Sequence, residues 1–140
     1  MATNIATLTA AIIAKLETVT ELKAVYDYAV TLTGGYPFAT VREAGWEAEF
    51  SDTQRNRRTF NFDIFLFQEY GDTSFSESKA ARVLRELQDA VITAFESDPT
   101  LGGAALLVRP VSGTAVDIDD RPDKVLGVIV RVECTKLVTR

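Results

Sequence analysis

The stretch DTQRNRRTFNFDIFLFQEY, residues Asp52–Tyr70, decides the fold. Its front end crowds Arg55, Arg57 and Arg58 together, and its back end alternates. Phe60, Phe62, Ile64 and Leu66 fall on one face of an extended chain, and Asn61, Asp63, Phe65 and Phe67 on the other. A period of two over this length predicts a strand from Thr59 to Tyr70, with one face fully apolar. The second face begins polar and ends aromatic, so the strand runs from a wet region into a covered one. SDTQRNRR, just before it, reads as a connection with the arginines at its tip, outside the core.

Working outward, GDTSFSES breaks the strand, and Ser74 and Glu77 have the spacing of a capping box. A helix to about Glu96 follows. Ala80, Val83, Leu84, Leu87, Ala90, Val91, Ala94 and Phe95 form its apolar stripe. Upstream, Phe38–Phe50 reads as a strand with a bulge or bend at Gly45. TLTGGYP before it is a loop, and ELKAVYDYAV reads as a short strand. The chain opens with a helix whose stripe is Ile5, Leu8, Ile12, Leu16 and Val19, capped by Thr3 or Asn4. Downstream, AALLVRPV is a strand demoted to an edge by Pro110. SGTAVDIDDRPD reads as an exposed acidic loop, with a short strand around Ala115 to Ile118. In VLGVIVRVECTKLV, Val128, Val130, Val132 and Cys134 share one face, which marks a half-buried strand. The order is α-β-β-β-α-β-β. It specifies one α+β domain over residues 1–140, a mostly antiparallel sheet packed by two helices.

Composition narrows the function. The net charge is −5, and the pI is near 4.8. That opposes a domain whose whole surface grips nucleic-acid phosphates. The sequence has no histidine, which removes the commonest general base and metal ligand. One cysteine, Cys134, cannot form a disulfide within the chain, and its place in a strand marks a small buried hydrophobe. No signal peptide and no membrane-spanning run is visible, so a protein soluble in a cytoplasm is expected.

Candidate chemistry is sparse. Asp117, Asp119, Asp120 and Asp123 form the densest acidic cluster. As a calcium loop it fails, because Pro122 stands where the turn glycine belongs and Val128 where the closing glutamate belongs. It reads as a solvated loop. Gly34-Gly35 and Gly102-Gly103 lack the lysine and hydroxyl of a phosphate loop. Trp46 and the phenylalanine strand could stack single-stranded bases, but alternation favours core. No cofactor, metal or catalytic residue is assigned.

The layout resembles a known family. A first amphipathic helix, then AVYDYAV, GGYPFATVR, DTQRNRRTFNFDIFLF, a long helix, LGGAALLVRP and VLGVIVRVEC are similar to the tail terminators and neck proteins of tailed bacteriophages. The resemblance covers almost the whole chain. It implies a virion protein assembled in the host cytoplasm. Such a protein forms a ring, usually hexameric, that caps the tail tube, ends its polymerisation and docks to the head–tail connector. DNA only passes through. The resemblance also gives the charge clusters a reading. Arginine makes bidentate contacts to carboxylates, and a head-to-tail ring joins two different patches of one protein. Arg55, Arg57 and Arg58 would then meet Asp117, Asp119, Asp120 and Asp123 of a neighbouring copy, or the tube. Three rivals remain: a head-to-tail joining protein of the same region, a nucleic-acid-binding module, and an enzyme with a carboxylate site.

Overall fold

A computed structural model describes residues 4–27, 35, 37–50, 55–70, 77–118 and 124–139. The elements are α1 (Asn4–Glu17), β1 (Ala24–Tyr26), β2 (Phe38–Phe50), β3 (Arg55–Tyr70), α2 (Glu77–Glu96), β4 (Leu107–Ile118) and β5 (Lys124–Thr139). This is the expected α+β order. Thr3, Ser74, Asp119, Asp120 and Asp123 lie outside the described residues, so the proposed cap residues Thr3 and Ser74 do too.

The five strands form one sheet in the order β1-β2-β3-β5-β4. β3 is its spine, paired antiparallel to β2 on one side and to β5 on the other. One pair departs from the antiparallel expectation: β1 runs parallel to β2, over Ala24–Tyr26 against Phe38–Thr40. β4 is an edge, as Pro110 requires, since proline cannot donate to a further strand. The AALLVRPV segment and the short strand around Ala115 are one element, bent by a register shift between Pro110 and Ser112.

Cross-strand register fixes which residues share a face. Phe60 faces Cys134, Phe62 faces Val132 and Ile64 faces Val130. All six are buried against Leu8, Ile12 and Leu16 of α1 and Leu84, Leu87, Val91 and Phe95 of α2. Both helices therefore lie on one face of the sheet. Each large apolar side chain fully buried there contributes about 1.5–3 kcal/mol relative to exposure. The other face holds a smaller cluster of Phe38, Phe67 and Val125, flanked by Tyr26 and Phe65. The rings of Phe38 and Phe67 lie 4.9 Å apart. This is the covered end of the second face of β3.

The helix layer is tied across its ends. Lys15 Nζ lies 3.1 Å from the Asp98 carboxylate. The same side chain accepts the Gly102 backbone N–H at 3.1 Å. Both partners hold the Asp98 carboxyl below its ordinary pKa, the backbone hydrogen bond contributing most. α1 is thereby linked to the turn that leads from α2 into β4.

Candidate interaction site

β3 starts at Arg55 rather than Thr59, so Arg55, Arg57 and Arg58 stand in the strand and not on a connection. The reason is a ladder on both sides. Arg57 pairs with Glu49 and Leu137, and Arg58 with Ala48 and Lys136. Two neighbouring strands satisfy the backbone of RNRR, which overrides its loop-like composition.

Among the described residues, Trp46, Phe50 and Arg57 are exposed at this end, so the strands here form an arm with little cover. Along β2, residues Phe38 to Val41 are buried, whereas Arg42 onward is exposed apart from half-buried Ala44. The break falls beside a bulge between Glu43 and Gly45. Gly45 has φ +111°, a conformation open to glycine and strained for other residues.

The two faces of the arm differ. Trp46 pairs with Phe60, Ala48 with Arg58 and Phe50 with Asn56, which puts these six on the face that carries the helices further down. Trp46 is 55% exposed and Phe50 70% exposed. The expectation that Trp46 is core is therefore corrected: Phe60 beside it is buried, but the sheet continues past the end of the helix layer. The Arg58 guanidinium lies over the Trp46 ring at 5.5 Å, a contact worth roughly 0.5–1 kcal/mol at an exposed site. The Arg58 Nε is buried without a hydrogen-bond partner. Lys136 stands beside Arg58 on the same face. Arg57 points to the opposite face and is exposed, with Glu49 as its cross-strand neighbour.

Further down the helix-free face, charges are matched. Arg131 donates two hydrogen bonds to Asp63, at 2.9 and 3.1 Å. That pairing raises the Arg131 pKa. Arg109 lies 3.5 Å from Glu133, and Arg42 sits over the Phe65 ring at 5.4 Å. Among the described residues, Arg58 and Lys136 have no such carboxylate partner.

Asp117, the described member of the acidic cluster, sits at the far end of the sheet. Asp117 belongs to β4 rather than to a loop, and its backbone pairs with Leu126, which pairs in turn with Gln68. Arg57 and Gln68 are about eleven positions apart on β3, roughly 36 Å at ~3.3 Å per residue. The structure does not bring Asp117 and the arginines together within one chain.

Among the described residues, depressions border the base of the arm. A cleft of about 190 Å³ is lined by Ile5, Glu43, Gly45, Trp46, Phe60 and Phe62. A shallower groove of about 500 Å³ runs along the outer side of α1. Its floor includes Ala10, Ile13 and Ala14, and Glu17, Asp27 and Glu43 stand on its rim. Sequence periodicity shows no sign of this groove, because its carboxylates come from α1, from the residue after β1 and from β2. Cys134 is fully buried, as its pattern predicts, and burial pushes its thiol up to about 12. A thiol in that state is a poor nucleophile. Among the described residues, no three thiols or carboxylates gather as a cation site. No helix among them is long and apolar enough to cross a membrane.

No protein-family model matches the chain, and no curated protein matches it either. Among solved structures, the chain is similar in fold to one from a structure titled "Virion of native gene transfer agent (GTA) particle". The TM-score is 0.50 at 14% identity, covering 91% of this chain and 94% of that one. At that identity the likeness is one of fold.

Proposed function

We propose that the protein is a structural component of a phage-like virion, and specifically that it forms the ring that caps the tail tube. In this reading it ends tube polymerisation and offers the docking surface for the head–tail connector. It works by recognition and not by turnover. The observation that carries the reading is the two-way coverage of the fold match. Nearly all of this chain aligns with nearly all of a chain from a virion particle, with no large domain left over on either side. The arm supports it. Its three strands present exposed aromatics, Trp46 and Phe50, and cations that have no carboxylate partner among the described residues. It suits contact with other virion proteins or further copies.

The test is complementation of a phage that lacks this protein, with tails measured by electron microscopy. The expected result is overlong tubes without the protein and normal tails with it. Tails of normal length that fail to join heads would overturn the capping role and assign the chain to the joining ring. Normal infectious particles in its absence would sink the virion reading altogether.

A further inference from the structure

We infer that the arm of one copy docks, through Trp46, Arg58 and Lys136, into the carboxylate-rimmed groove along α1 of a second copy. This goes beyond the capping role by naming the surfaces that join copies, and it rests on that role only for its consequence in a tail.

Both surfaces are incomplete alone. On the arm, Trp46 is more than half exposed, Arg58 has a buried Nε without a partner, and Lys136 adds a second cation on the same face. In the groove, Glu17, Asp27 and Glu43 are exposed, and among the described residues they have no ion-pair partner. Small residues, Ala10 and Ala14, keep the floor low enough for a flat ring to approach. The groove volume of about 500 Å³ admits an indole with a guanidinium stacked on it. Three carboxylates face an aromatic ring and two cations.

Within one chain only Glu43 of the groove adjoins the arm, lining a cleft with Trp46, and the cations of the arm lie far from Asp27. Glu43 and Trp46 lie on the same strand, and both face the helix side. Asp27 follows β1, whose Tyr26 is level with Thr40, while Arg58 is level with Ala48. That offset is on the order of 25 Å along a rigid ladder. A second copy is therefore the occupant that fits in size and charge. Desolvated charge pairs against an aromatic anchor are the usual makings of an interface hot spot.

Trp46 is the single tryptophan of the chain, so its emission reports the contact directly. The full-length protein is titrated from micromolar to millimolar concentration at low salt, with mass followed by sedimentation. Emission is expected to move to the blue as mass rises. Arg58→Glu with Lys136→Glu should weaken association roughly tenfold or more. Glu17→Lys with Asp27→Lys and Glu43→Lys should do the same, and the two sets in one chain should restore it. Circular dichroism checks the fold of each variant. A second measurement captures weak contacts: chains carrying Ala48→Cys are mixed under oxidation with chains carrying Ala14→Cys. Mixed disulfides should exceed like-with-like ones, and Arg58→Glu should abolish the excess. Unchanged emission at millimolar concentration with no excess of mixed disulfides overturns the inference. So does a charge swap that fails to restore association. Quenching of Trp46 by a single-stranded thymidine oligonucleotide that blocks mixed disulfides would also overturn it, in favour of a nucleic-acid platform. The capping role fails separately, in the complementation assay, if a variant that no longer associates still gives tails of normal length.

Discussion

Strand β2 passes through two environments without a break in its ladder. From Phe38 to Val41 every residue is buried, with Ala39 and Val41 beneath the helices and Phe38 on the far side. Beyond Arg42 the same strand is wet on both faces. Backbone pairing is continuous apart from the bulge at Gly45. Only the cover changes. Hydrogen bonding sets where the sheet extends, whereas helix packing sets where it is stable on its own. The outer half keeps its shape because β3 binds it on one side and β5 carries β3 on the other. It buries few side chains there, so its surface is free to serve partners.

The contrast is broken most simply at the core. Phe62 is 1% exposed, between Val132 and the helix layer. Phe62→Ala should cost ~3–5 kcal/mol, a large share of a typical stability of ~5–15 kcal/mol. Urea unfolding measures it directly. A variant that unfolds at the parent's midpoint would mean that the covered half is not the source of stability.

Next in size is the junction. Gly45→Val places a β-branched residue at φ +111°. No atom lies within 4 Å of the Cβ it would gain, so the cost is conformational rather than steric. An expected loss of ~1–3 kcal/mol follows for a strained backbone. If Gly45→Val also blue-shifts Trp46 emission without self-association, the bulge sets the pitch of the arm.

Smaller effects come from the charges. Asp63→Asn removes the carboxylate from a bidentate pair whose arginine is partly exposed. Solvent screening limits the loss to ~1 kcal/mol or less. The loss should shrink in high salt, which a core effect would not do. Asp98 offers a pH test. Its folded pKa is lowered, so the stability it lends is present above its ordinary value of 3.8 and is lost as pH falls through the folded value. Acid titration below that point should loosen the link between α1 and the turn after α2. Asp98→Asn should flatten that part of the profile. An unchanged profile would show that the tether contributes nothing in solution.

How much of this was legible in sequence follows from the same contrast. Alternation in β3 and the three- to four-residue stripes of the helices report burial on one side, so the covered half was readable residue by residue. Phe60, Phe62, Ile64 and Leu66 fall where their period places them. The arm carries no such signal. Asn56, Arg57 and Arg58 look like a loop because no apolar alternation marks their part of the strand. Trp46 reads as core because the aromatics alternate as in a buried strand, yet it is only its cross-strand partner Phe60 that is buried. The composition of RNRR does not reveal that β2 and β5 flank it. Nor does a one-dimensional pattern show that Glu17, Asp27 and Glu43 share a rim. The far end of the sheet was only partly legible: Asp117 read as loop, yet it pairs with Leu126.

The smallest expected effect is the sharpest test of the comparison. Arg57 lies on the arm, exposed, with Glu49 opposite and Thr59 the next residue on its face of β3. Arg57→Thr keeps a strand-favouring residue there and avoids placing two glutamates across the ladder, which a reversal to Glu would do. Since no core depends on the side chain, unfolding free energy should change by no more than about 0.5 kcal/mol. Association between copies should also hold, because Arg57 faces away from Trp46 and Arg58. If the helix-free face of the arm touches the tube or connector, the variant should fold and self-associate as the parent does but assemble virions less well. Rim charges act chiefly on encounter rate, so added salt should produce the same deficit in the parent. Should Arg57→Thr cost as much stability as Gly45→Val, the arm would hold a packing role that its exposure conceals. Should it leave both stability and virion yield unchanged, contact would be confined to the face that carries Trp46.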